Sequence, residues 1–167
     1  MSAPRSRRAL VGLAAGLGAM VAVAGFVLPR SAAPADHDDD TTVLSWVAEK
    51  QADTEPRHPE VGDSWVTYLQ LREGSAKGGN RPVIGDGSAK CSAVAVTDRG
   101  IITQCQRVLR TDRGTIALSA MIDRFGAGPY TGPSAVVGGT GAYAGAEGQA
   151  TITLDGPVVR FRIELDD

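Results

Sequence analysis

The sequence predicts an all-β protein, an eight-stranded antiparallel up-and-down barrel, and three observations carry that expectation. Short runs of alternating apolar and polar residues recur from Thr42 to Leu165. Turn-forming clusters separate most of them: Asp98-Arg99-Gly100, Asp112-Arg113-Gly114, Gly126 to Pro133 and Asp155-Gly156-Pro157. No segment of this region has a convincing helical period. Closure into a barrel removes the exposed edges that eight open strands would leave. About eight strands also leave an interior wide enough for side chains or for one small ligand.

The chain opens with Arg5, Arg7 and Arg8, followed by the uncharged run Ala9 to Leu28, closed by Pro29 and Arg30. With the small-residue exit Ala33-Pro34-Ala35, residues 1–35 are expected to be a secretory signal. The apolar run is also long enough to span a bilayer, so an uncleaved N-terminal anchor is the other reading. Both place the folded part outside the cytoplasmic membrane, exported as a secreted or anchored protein. Ser6-Arg7-Arg8-Ala9-Leu10 resembles a twin-arginine signal without its usual Phe and Lys, and an ordinary export signal with paired arginines fits equally. No cysteine follows the apolar run, which excludes a lipoprotein anchor.

Residues 36–41 form an acidic linker, and 42–167 the barrel domain. Beyond residue 35 the chain keeps 13 of its 17 basic residues and all 19 acidic ones, a formal net charge of −6. An acidic domain without a basic cluster argues against nucleic acid and anionic membrane surfaces as partners. Asp36-His37-Asp38-Asp39-Asp40 has the ligand types of a cation site, but a like-charged run with no fixed geometry reads as a solvated spacer. His58 lies in the loop-like stretch Thr54 to Pro59, so neither a histidine-based triad nor a metal site is expected.

The predicted strands are Thr42 to Ala48, Ser64 to Leu71, Lys90 to Val96, Ile101 to Arg110, Thr115 to Asp123, Ser134 to Val137, Gln149 to Leu154 and Val158 to Leu165. The last alternates best, and its Val159, Phe161, Ile163 and Leu165 face is assigned to the interior. By the same rule Ala150, Ile152 and Leu154 point inward. The strand from Thr115 has one apolar face, Ile116, Leu118, Ala120 and Ile122, and a mixed one containing Met121. Two such faces suggest cover on both sides, by self-association or by a loop or helix.

Cys91 and Cys105 lie almost symmetrically about the turn at Asp98-Arg99-Gly100, so a hairpin would set them opposite one another as a disulfide. The glycine-rich stretch Ala135 to Gly148 matches, at Gly139-x-Gly141-x-x-Ala144, the fingerprint of a dinucleotide-binding turn. The residues after it alternate like strands, and Gly145 and Gly148 would each weaken the required helix by about 1 kcal/mol. A glycine-rich corner between antiparallel strands fits better.

That corner, Val136-Val137-Gly138-Gly139-Thr140-Gly141-x-Tyr143-x-Gly145-Ala146-x-Gly148, resembles the C-terminal signature of the allene oxide cyclase and dirigent barrel superfamily. The spacing of Cys91 and Cys105 is similar to its bacterial, secreted branch. The resemblance covers about residues 42 to 165 and gives Gly138, Gly139, Gly141, Tyr143, Gly145 and Gly148 structural roles. Tyr143 would be a packing plug whose hydroxyl bonds a backbone group. The resemblance also implies a homodimer or homotrimer. Its known activities are ring closure of a fatty-acid epoxide, oriented coupling of phenol radicals and cyclisation of polyketides. All use a cavity that folds a flexible apolar substrate, and none requires a cofactor. Dirigent proteins carry acidic residues on the early strand where this chain has Tyr68-Leu69-Gln70, and the cyclase's catalytic residues have no one-for-one match.

The candidate site is drawn from the aromatic and polar groups that could meet a ligand inside the barrel. Tyr68 and Arg107 are the candidate catalytic groups, and Trp65, Gln104, Met121, Tyr130 and Phe161 the candidate substrate contacts. Trp65 and Phe161 also read as plain core residues. Arg107 shares a strand parity with Ile101, Thr103 and Cys105; facing inward it would need an acidic or ligand partner, and facing outward it would make the salt bridge more usual for arginine. The leading expectation is a cofactor-free cyclase or isomerase acting on a hydrophobic, polyketide-like substrate. The alternative is a non-catalytic exported binder of a lipophilic molecule, or a cell-surface interaction protein.

Overall fold

A computed structural model describes residues 41–74 and 81–166. The expected signal or anchor and most of the acidic linker lie outside the described residues. Eight strands form the barrel: β1 (Thr41–Asp53), β2 (Ser64–Glu73), β3 (Val83–Thr97), β4 (Gly100–Thr111), β5 (Gly114–Phe125), β6 (Tyr130–Gly139), β7 (Glu147–Asp155) and β8 (Val158–Asp166). Each pairs antiparallel with its sequence neighbour, and β1 pairs with β8 from Thr41↔Asp166 to Glu49↔Val158, which closes the sheet. The eight predicted strands and the up-and-down barrel are therefore what the chain forms. No helix among the described residues is long and apolar enough to cross a membrane.

Strand β3 begins seven residues earlier than its alternation announces, and the cause is its small inward residues. Gly85 crosses β4 so closely that a Cβ there would lie 1.8 Å from the Arg110 carbonyl oxygen. Gly87, Ala89, Cys91 and Ala93 continue that inward row. Strand β6 likewise starts at Tyr130, inside the expected turn, pairing Tyr130 with Leu154 and Pro133 with Thr151.

The interior faces match the alternation. Val159, Phe161, Ile163 and Leu165 of β8, Ala150 and Ile152 of β7, and Ile116, Leu118, Ala120 and Ile122 of β5 are buried. With Trp46, Leu69, Leu71 and Leu109 they make one apolar cluster. Burying each large side chain in it contributes about 1.5–3 kcal/mol.

The glycine stretch forms the expected corner: a single 3-10 turn over Gly141–Tyr143 joins β6 to β7. Positive φ angles at Gly138 and Gly141 let the chain double back, a conformation that side chains with a Cβ rarely adopt. The turn drives Tyr143 into the barrel end, where its ring meets Trp46 edge-on at 6.2 Å and Arg113 lies over it at 5.6 Å. The plug is as expected, but its hydroxyl makes no hydrogen bond among the described residues. A Cβ on Gly139 would come within 2.3 Å of the Tyr143 carbonyl oxygen and 2.7 Å of that of Thr115. Gly139→Ala is accordingly expected to destabilise the protein by about 1–3 kcal/mol. Denaturant unfolding would show it, with a changed near-ultraviolet signal from the Trp46–Tyr143 pair.

Cys91 and Cys105 are directly opposed in the β3–β4 ladder, 4.1 Å apart at Cα, and form the expected disulfide. A disulfide is compatible with an exported protein. It bridges a sequence separation of 14 residues. Replacing both cysteines by alanine should lower the unfolding free energy by about 2–3 kcal/mol. The urea midpoint of the double variant would then fall to that of the reduced wild type.

Candidate functional site

The plugged end is formed by the β4–β5 turn and the β6–β7 corner. At the opposite end the lumen stays open, because β3 presents only Ala89, Cys91 and Ala93 where β2 presents Trp65. The result is a cavity of about 370 Å³, bounded at its mouth by Glu55, Gly128-Pro129 and Asp155-Gly156. Trp65, Tyr130, Leu154 and Val159 form its apolar wall, and Thr67, Thr103, Arg107 and the disulfide its polar side.

Arg107 is the least ordinary group here. It lies on β4 between Ala89 and Leu118, and alternation points it into the lumen, where it is 3% exposed. The small Ala89 leaves space for the guanidinium. The outward salt bridge expected as the more usual case is therefore not what forms, because parity with buried Thr103 and Cys105 decides the direction. Its Nη1 is buried without a hydrogen-bond partner among the described residues. Burial pushes its pKa down to about 10, so it remains charged at neutral pH.

The other charges around the cavity are matched. Arg124 donates to Glu55 at 2.5 Å, joining β5 to the β1–β2 connection, and lies over the Tyr130 ring at 5.5 Å. Arg160 meets Asp155 at 3.1 Å, and Lys50 meets Asp53 at 2.7 Å. Partial burial works to raise the pKa of Asp53. The Lys50 ammonium, the Glu55 amide and the Thr67 hydroxyl outweigh it and hold the carboxyl below the usual range. The Thr103 hydroxyl donates to the Ile122 carbonyl at 3.2 Å, and the Tyr130 hydroxyl to that of Gly126 at 2.7 Å.

Of the sequence-predicted site residues, the structure brings Trp65, Arg107 and Tyr130 together around the cavity. Phe161 is inward but belongs to the packed core and does not line the opening. Tyr68, Gln104 and Met121 need correction: all three have the opposite parity and lie on the outer wall. Tyr68 is 48% exposed, and its hydroxyl donates to Asp86 at 3.0 Å, beside the Arg110 guanidinium. The Asp86 carboxylate holds the Tyr68 hydroxyl above its usual pKa. Gln104 and Met121 are neighbours across β4 and β5, and Met121 is 62% exposed.

No protein-family model matches the sequence, and no curated protein matches it significantly. Solved structures do match in shape. A pyocyanin demethylase superposes with a TM-score of 0.60 at 20% identity, over 74% of this chain and 99% of the other. A pterocarpan synthase dirigent protein gives 0.57 at 17% identity, over 81% and 95%. The chain has the allene oxide cyclase and dirigent barrel fold. An exo-specific intermolecular Diels-Alderase is a further match, with a TM-score of 0.53 at 18% identity over 76% of this chain and 97% of the other.

Within this barrel, sequence reasoning missed Thr67, Thr103, Glu55, Arg124 and Leu154 as cavity residues. The parity of Arg107 along β4 already included Thr103 without marking it as a cavity residue, and extending that of Trp65 along β2 would have found Thr67. Glu55 and Arg124 are 69 residues apart and meet only because the barrel closes.

A buried, unmatched guanidinium lowers stability, and the displacement of its pKa corresponds to roughly 3 kcal/mol against the charged form. Arg107→Met is expected to raise the unfolding free energy by about 1–3 kcal/mol at neutral pH. The folded protein holds this proton less tightly than the unfolded chain does. The wild type should therefore close the gap as pH rises through about 10. Urea midpoints against pH would show both effects, whereas a lower midpoint in the variant would mean that the guanidinium has a stabilising partner.

Proposed function

We propose that the protein is a cyclase or isomerase whose cavity folds a small hydrophobic, polyketide-like substrate into one reactive conformation for ring closure. The observation that carries this reading is the asymmetric lumen, packed solid around Tyr143 and Phe161 at one end and open at the other. Its volume of about 370 Å³ falls within the range usual for small-ligand sites. Holding the reacting atoms of a flexible chain in contact can remove about 7–11 kcal/mol of barrier in favourable cases. In this reading Trp65, Tyr130, Leu154 and Val159 shape the substrate, and Arg107 stabilises negative charge that develops on a carbonyl oxygen. No step calls for a cofactor. A Diels-Alderase and a dirigent protein among the barrels of this shape support a conformer-selecting role for such a cavity.

A second reading, a non-catalytic exported binder, has its own support. The mouth carboxylates Glu55 and Asp155 are engaged by Arg124 and Arg160, which leaves them poorly placed as general bases. The disulfide suits an extracytoplasmic location, where such a binder would act.

Native mass spectrometry of the oxidised protein, incubated with a hydrophobic metabolite extract from its producer, separates the two. The proposed activity predicts that a bound metabolite is released as an isomer of unchanged mass. Release of the same compound unaltered would replace it by the binding role, and the absence of any bound species would overturn both.

A further inference from the structure

The charge balance of the cavity specifies more than an apolar ligand. Three pairs around the mouth cancel: Lys50 with Asp53, Glu55 with Arg124, and Asp155 with Arg160. Among the described residues the remaining charge is Arg107, set deep in the lumen between Ala89 and Leu118. An unpaired buried cation destabilises a fold unless something outside the chain compensates it. The barrel also had a simple alternative, since the neighbouring inward positions on the same strand are Cys105 and Leu109. A planar guanidinium facing a cavity with an apolar wall matches a delocalised oxyanion attached to an apolar body.

Resting on the reading of the cavity as a small-molecule site, we infer that its ligand is an amphipathic monoanion. A single carboxylate, enolate or phenolate-type oxyanion pairs with Arg107, and the apolar body lies between Trp65 and Tyr130. The single excess charge sets the ligand's charge at one, because a dianion would leave a second buried charge unmatched. The Thr103 hydroxyl carries no charge to neutralise Arg107, and its proton is directed to the Ile122 carbonyl. The inference applies equally to a substrate that is turned over and to a ligand that is only carried.

The test uses two probes that share one skeleton, anilinonaphthalene sulfonate and its uncharged counterpart phenylnaphthylamine. Both are titrated by fluorescence into the full-length, oxidised protein in chloride buffer at physiological ionic strength. The sulfonate is expected to bind at one equivalent, roughly ten- to a hundredfold more tightly than the neutral probe. Arg107→Met should abolish that preference, so that the two probes bind with similar affinity, and Arg107→Lys should retain part of it. An unchanged near-ultraviolet spectrum would establish that the methionine variant keeps its fold. If the two probes bind wild type equally, or if the methionine variant keeps the preference, the monoanion inference is wrong while the cavity reading stands. If neither probe binds, the cavity is not a small-molecule site and both readings fall.

Discussion

Tyr143 wedged edge-on against Trp46 fixes what each end of this barrel can be. A closed eight-stranded sheet encloses more space than a single row of side chains fills, so a stable barrel of this size must pack its lumen or leave part of it for a ligand. Here the 3-10 turn at Gly141–Tyr143 carries an aromatic ring inward from the β6–β7 corner. The large residues Leu69, Leu71, Leu109 and Phe161 pack above that ring. The turn depends on glycine at positions where the backbone has a positive φ or approaches another strand too closely for a Cβ. A corner whose sequence resembles a cofactor-binding loop is therefore an internal stopper.

Packing one end so densely gives the other end freedom to be incomplete. The core around the plug stabilises the closed sheet, and the disulfide ties β3 to β4 on the wall where the inward residues are smallest. Small residues on β3 and the turn of Arg107 toward Ala89 are two aspects of one arrangement: space is left, and a charge faces it. In the proposed reading, such a device lowers the stability of the empty protein and would raise its discrimination between ligands, the usual opposition at a functional site. The ion pairs at the mouth neutralise their own carboxylates and keep them from approaching Arg107. Among the described residues, no carboxylate pairs with the Arg107 guanidinium.

The outer wall shows why residue type alone misplaced part of the candidate site. Tyr68, Gln104 and Met121 are chemically suited to meet a ligand, but each lies on the outward parity of its strand. Tyr68 is bound into a surface cluster with Asp86 and Arg110, where its hydroxyl serves the β2–β3–β4 ladder. Trp65 and Arg107 differ from them only in parity. On β4, Arg107 shares the face of the disulfide, and the closed barrel turns that face inward.

Local sequence by itself determined the eight strands, the inward faces of β5, β7 and β8, the disulfide and the glycine corner, because each follows from neighbours along the chain. Alternation has a period of two, turns are four-residue events, and a hairpin brings symmetric positions together. The tertiary structure decided which end is filled and which is open, since that depends on side-chain volumes summed across strands distant in sequence. It alone joined Glu55 to Arg124 across 69 residues and left the Arg107 Nη1 without a hydrogen-bond partner among the described residues. Ion pairing across a closed barrel is a property of three-dimensional distance, and no periodicity within one strand encodes it.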